Sequence, residues 1–318
     1  MNNSRQALPL AEGALLAVIT GGLFLASYYL PLIGILVGFI CPLPIIVMVI
    51  KHEFRYGLIV VLTASFLVTI ISGPLMGVIY LLAFAVNGLI MGETFKRQYS
   101  PARLITVNTL VAIVTGLILI GATVALLGKS PLALFDQELT ASIDYSLKFY
   151  EKIGLEQAQI KQVENTFSAM ARFVKMAFPA LFVITMALNV LAVFLVSEYF
   201  LGRLNFTINR SADFSRWRLP DVLIWFFIAG FLLYLSGVKA LIAPGLNLLV
   251  VMAAIYFIQG LSIVQHYFKE KAIPRWGRIM FYGLLLLSPM LAIVVVLFSV
   301  FDLWLNFRRI TLSEGELS

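Results

Sequence analysis

Apolar residues run in stretches of about 20 from Leu10 to Phe301, and short polar segments interrupt them. A helix needs roughly 20 mostly apolar residues to cross a bilayer core, because each residue adds about 1.5 Å to a path of about 30 Å. The pattern predicts nine spans, near 10–30, 32–50, 56–72, 74–92, 104–128, 176–200, 219–237, 240–265 and 279–301. The fold class expected is all-α, a polytopic transmembrane helical bundle of about eight to nine spans. The second span is the least regular. Within it, Cys41-Pro42-Leu43-Pro44 removes backbone donors and disfavours helix before each proline. Membrane depth tolerates such a break only where protein or water satisfies the freed carbonyls.

The longest connection, 129–175, has a different period. Ile160, Val163, Phe167, Met170 and Val174 recur at helical spacing with polar residues between them, an amphipathic helix running into the sixth span. Leu139, Ile143, Leu147 and Tyr150 mark an earlier helix, with Gly154 as the turn. The expectation is an amphipathic helical hairpin on the outer side, inserted into one integral membrane domain that spans residues 1–318. It is read either as lying on the outer leaflet or as a lid or docking surface.

Charge gives the orientation. Lys51 and Arg55, then Lys96, Arg97 and Arg103, then Arg203, Arg210, Arg216 and Arg218, then Lys269, Lys271, Arg275 and Arg278 fall on alternate connections. The connections near Pro31, Gly73 and Lys239 are nearly free of base, so the positive-inside rule predicts a cytoplasmic amino terminus. Arg5 alone precedes the first run, which lacks a small-residue cleavage pattern and is expected to stay as a span. Nine spans would put the carboxyl terminus outside, where Arg308 and Arg309 are out of place, although Asp302, Glu314 and Glu316 offset them. Eight spans would put it inside.

Composition narrows the chemistry. Hydrophobic residues make up 61% and charged residues 12%, so lipid must act as solvent. The net charge of +7 is spread over short loops, with no basic groove for nucleic acid. Cys41 is the only cysteine, and the two histidines, His52 and His266, fit no metal-ligand spacing and read as solvated loop residues. Nucleophile elbows and phosphate loops are missing as well. The chain is therefore expected not to be an enzyme and to need no cofactor or metal.

Three constellations point to binding instead. Gly13, Ala17 and Gly21 clear a stripe on the first span, for packing within the chain or for docking a partner helix. Gly73-Pro74, Pro31 and the Pro42–Pro44 break suggest irregular backbone toward the outer half of the first four spans, where a cavity is expected. Tyr28, Tyr29 and Tyr80 are candidate walls of that cavity and Asn87 its hydrogen-bonding group, although aromatic residues near interfaces also serve as belt anchors. Asn108, Asn189, Asn247 and Gln259 are the other amides in the spans, expected to hydrogen-bond between helices. No intramembrane carboxylate relay supports ion-coupled pumping.

The order Ala14-Leu15-Leu16-Ala17, Leu30-Pro31, Cys41-Pro42-Leu43-Pro44, Gly73-Pro74 and Gly88-Leu89-Ile90-Met91-Gly92 resembles the YybS-like bacterial membrane proteins, a family of unknown function. Those early spans are in turn similar to the substrate-binding S components of energy-coupling-factor vitamin transporters. The resemblance implies a bacterial inner-membrane protein that binds or transports a small organic solute. It also implies that Gly13, Ala17 and Gly21 face a transmembrane coupling subunit. S components carry an Ala-x-x-x-Ala pattern there, whereas two of the three positions here are glycine. The competing expectation is a non-transporting scaffold or regulatory partner, in which the basic loop 203–218 meets other proteins or anionic lipid heads.

Overall fold

The computed structural model describes residues 3–30, 33–128, 130–153, 156–209, 213–305 and 308. The expected turn at Gly154, Pro31, Arg210, Arg309, Glu314 and Glu316 lie outside the described residues. Every regular element among the described residues is helical. In lipid this follows from the need to satisfy each backbone N–H and C=O within the segment.

The helices in chain order are α1 (Asn3–Tyr29), α2 (Ile33–Ile40), α3 (Leu43–Lys51), α4 (Phe54–Ser72), α5 (Pro74–Tyr80), a π-helical turn (Leu81–Ala85) and α6 (Val86–Lys96). They continue with α7 (Pro101–Leu127), α8 (Pro131–Lys152), α9 (Gln157–Arg203), α10 (Leu223–Leu235), α11 (Lys239–Glu270), α12 (Arg275–Leu287) and α13 (Pro289–Leu305). Among the described residues, seven stretches are long and apolar enough to cross a membrane, or eight if the bent pair α12 and α13 counts as one.

Two predicted spans change. The seventh, expected over 219–237, is helical only over Leu223–Leu235, 13 residues and about 20 Å, because Pro220 holds the preceding residues in a turn. The ninth, expected as one helix over 279–301, is broken at Ser288 before Pro289 and bent by 107°. Proline lacks the donor that would continue the ladder, and it excludes helical geometry at the residue before it.

Where the sequence reads as one integral domain, contacts divide the chain into two compact units. One is Met1–Ser168 with Thr185–Arg210; the other is Ala169–Ile184 with Ser211–Ser318.

In the first unit α1 lies along α4. The stripe Gly13, Ala17, Gly21 meets a matching stripe, Val60, Ala64 and Val68, and a Cβ on Gly13 would sit 3.4 Å from both Met48 and Val60. The small residues are thus covered by the chain's own helix, and a coupling subunit would need another face. Opposite, α6 presses on α3: a Cβ on Gly92 would lie 2.9 Å from Val49 and 3.1 Å from the Ile46 backbone. A second cluster joins Ile46, Met91 and Leu104 to Phe194, which stacks on Phe95 at 5.6 Å. Helix α8 opens with Ser130 accepting from the Ala133 amide, and α9 opens with Gln159 accepting from the Glu156 amide. The amphipathic segment does run unbroken into the sixth span, as one helix of 47 residues.

In the second unit α10 and α11 form an antiparallel pair. A Cβ on Gly245 would lie 2.5 Å from the Tyr234 amide nitrogen, and one on Gly230 3.1 Å from that of Leu249. The same pairing continues to the Leu219 amide, which donates to Gln259 Oε1 at 3.3 Å. Gly237, at φ 72°, makes the turn that no β-carbon residue adopts easily.

Candidate functional site

Two interruptions of the helical backbone come together in the first unit. Pro42 is the middle residue of the span Ile33–Lys51, and Ala85, which ends the π-helical turn, is the middle residue of Pro74–Lys96. A Cβ on Gly88, just beyond the π-helical turn, would lie 3.1 Å from Pro42, so glycine there lets the two interrupted spans approach closely. The irregular backbone therefore gathers at mid-span and not in the outer half of the spans. Gly73, with φ 90°, forms a tight link between α4 and α5.

Polar side chains serve these breaks. Thr20 donates from Oγ1 to the Cys41 carbonyl at 2.7 Å, at the place where Pro42 interrupts the helix, and Tyr80 donates from its hydroxyl to Thr20 Oγ1 at 3.2 Å. Thr20, Cys41 and Tyr80 are fully buried. Phe24 sets its ring edge-on to Tyr80 at 5.2 Å and to Phe84, within the π-turn, at 5.4 Å. Asn87 stands one turn beyond. Its Nδ2 lies 3.2 Å from the Leu82 and Ala83 carbonyls, which the π-turn diverts, and 3.4 Å from Thr115 Oγ1. Its Oδ1 is buried without a hydrogen-bond partner. A π-turn inside an α-helix is a strained insertion found often at functional sites, and a buried acceptor left open calls for a donor.

The predicted site residues thus separate. Tyr80 and Asn87 flank the π-turn, Tyr80 facing the core. Tyr28 and Tyr29, at the end of α1, stack edge to face at 5.1 Å and are exposed, the geometry of belt residues. Thr20 is the member that pattern reading missed; a threonine in an apolar span carries no signal until its carbonyl partner is known. His52 is not an isolated loop residue, since its Nε2 lies 3.0 Å from Glu12 Oε2, and Glu12 also pairs with Lys51. No group of three or more possible metal ligands occurs among the described residues.

The second unit holds a polar cluster that the sequence did not mark. Arg308 and Asp302 form an ion pair at 3.1 Å with both side chains almost fully buried. Arg308 also donates from Nη1 to the Trp217 carbonyl at 2.9 Å and to Ser262 Oγ at 3.0 Å. Nearby, Lys269 donates to Asp213 at 2.6 Å, and this contact, with the Ser215 backbone amide, lowers the Asp213 carboxyl to about 2. Buried ionic groups in an apolar chain are expected to be paired, and these are. Asp302 followed six residues later by Arg308 was the available signal, but past the last apolar run it reads as a solvated tail.

Known proteins agree with this architecture at the level of family. The chain is 25% identical over 311 residues to the uncharacterized protein YybS of Bacillus subtilis (strain 168), covering 96% of this chain and 99% of that one. No solved structure matches it. The model of a predicted membrane protein family, DUF2232, matches residues 18–303, which take in both helix breaks and the Asp302 end of the buried pair. On that match, over most of its length, the chain belongs to the DUF2232 family of predicted membrane proteins.

Proposed function

We propose that this integral membrane protein binds or carries a small organic solute at the paired helix breaks of the first unit, without catalysing a reaction. One observation carries the reading: two interrupted spans meet at mid-span through Pro42 and Gly88, beside a buried amide acceptor, Asn87 Oδ1, that has no partner. Interrupted helices placed at the bilayer midplane supply backbone groups and adjustable packing, which continuous helices do not. The surrounding groups are neutral, so the favoured ligand is an uncharged or weakly polar molecule that donates a hydrogen bond to Asn87. The orientation we assign, in a bacterial cytoplasmic membrane with a cytoplasmic amino terminus, is supported by the alternation of basic connections.

Purification in mild detergent, mass spectrometry of co-purifying small molecules and a thermal-shift assay of each hit test this reading. A stoichiometric metabolite that raises the melting temperature of the wild type but not of Asn87→Ala is the expected result. Recovery of a protein partner with no small molecule would favour the scaffold reading. A specific observation supports that second reading: Tyr145 and Phe149 on α8 are exposed, apolar surface that a partner or the membrane interface would cover.

A further inference from the structure

We infer that α12 and α13 form a re-entrant hairpin, which enters the bilayer and returns to the side of the 213–219 segment without crossing. The two ends of the pair are tied to one place. Just before α12, Lys269 is held on Asp213. Just after α13, Arg308 donates to the Trp217 carbonyl and to Ser262, and pairs with Asp302. Ser262 lies eight residues before the end of α11 at Glu270, about 12 Å along the helix. A crossing pair would deliver Arg308 to the opposite face, about 30 Å away, beyond the reach of any arginine side chain.

Depth along α11 tells the same story. Phe281 and Tyr282 of α12 pack on Phe268 at ring distances of 5.4 and 5.9 Å, and Val295 of α13 lies against Gly260. The contacts of α12 stay near Phe268, at the end of α11 that carries Lys269, and Val300 of α13 joins Leu219, Met252 and Tyr256 in one buried cluster, beside the 213–219 segment to which Arg308 is tied. The 107° bend at Ser288 supplies the reversal. The backbone there is satisfied locally: the Ser288 amide donates to Leu284 O, and the Leu291 amide to Ser288 O. That satisfaction is what a helix break at membrane depth requires. Helix α12 has the make-up of an interfacial element, with Arg275, Trp276 and Arg278 in its first turn and Met280, Leu284 and Leu287 exposed along its length.

The consequence is topological. Arg308, donating to the Trp217 carbonyl, lies on the same face as Arg216, Arg218, Lys271 and Arg275, so it joins the basic side and is no longer out of place. This depends on the proposed orientation only for naming that side cytoplasmic, and not at all on the solute.

Impermeant-maleimide labelling of intact cells and inverted vesicles tests it in the full chain, because buried Cys41 is silent to a bulky reagent. Single cysteines go at Lys271, at Ser236 in the α10–α11 turn, at Ser288, and after Ser318. The added terminal cysteine is expected to label with Lys271→Cys from one side and Ser236→Cys from the other, with Ser288→Cys unreactive from the Ser236 side. Terminal labelling from the Ser236 side, or Ser288→Cys reacting there, would overturn the hairpin. A terminal fluorescent-protein or alkaline-phosphatase fusion reports the same sidedness without altering any residue of the fold.

Discussion

The side-chain amide of Asn247 completes the backbone of α9 next to Pro179. Its Oδ1 accepts from the Ala180 amide at 2.8 Å and its Nδ2 donates to the Met176 carbonyl at 2.8 Å. Those two backbone groups would pair with each other in an uninterrupted helix, and proline disturbs that turn. Asn247→Leu is expected to destabilise the protein by about 1–3 kcal/mol, the range for buried groups left unpaired. Pro179→Ala should recover most of that loss in the double variant, as thermal or denaturant melts in detergent would show. Additive effects would mean that the amide does not serve the proline site.

Thr20 occupies the corresponding role at the Cys41 carbonyl. Thr20→Val removes the donor to that carbonyl and the acceptor for Tyr80, and should cost about 1–3 kcal/mol. Tyr80→Phe leaves the carbonyl bond in place and should cost only about 0.5–1.5 kcal/mol. Equal losses from the two variants would contradict the order of this chain of hydrogen bonds.

Glycines separate by what surrounds them. Gly88→Ala would push a methyl to 3.1 Å from Pro42 and is expected to destabilise by about 1–3 kcal/mol, as overpacking does. Gly22→Ala, on the same kind of apolar helix, meets nothing within 4 Å and should stabilise by about 0.5–1 kcal/mol through helix propensity. Melting temperatures of the two variants should move in opposite directions.

The Asp213–Lys269 contact has a defined response to acid. The folded carboxyl sits at about 2, below its ordinary 3.8, so its contribution is present above about pH 4 and is lost as pH falls toward 2. Because the pair is exposed, its effect on stability is small. Comparing the melting temperatures of wild type and Asp213→Asn from pH 6 to pH 2 checks this: the wild-type advantage should begin to shrink near pH 4 and be largely gone by pH 2. An advantage that grew on acidification would reverse the sign.

What the sequence determined by itself was the solvent and the class of fold. Apolar runs as long as 104–128 or 279–301, without a charged residue inside them, call for lipid as solvent, and lipid leaves a single chain few options besides helices. The amphipathic period at Ile160 to Val174, and the continuation of that helix into the sixth span, were equally legible, because periodicity is a local property. Tertiary structure decided the partners. The Gly13 stripe gives a close approach without saying to which helix, and it is Val60, Ala64 and Val68 of α4 that fill it. Asn87, Asn247 and Thr20 are polar residues in apolar runs, and only the fold shows which diverted carbonyl each one meets. The breaks before Pro42 and Pro289 were visible as prolines, but their angles were not. The first stays within one candidate span, whereas the second turns by 107°. Proline only removes a donor and restricts its predecessor; what packs on either side, and Arg308 fastened to the Trp217 carbonyl, sets where the chain goes next.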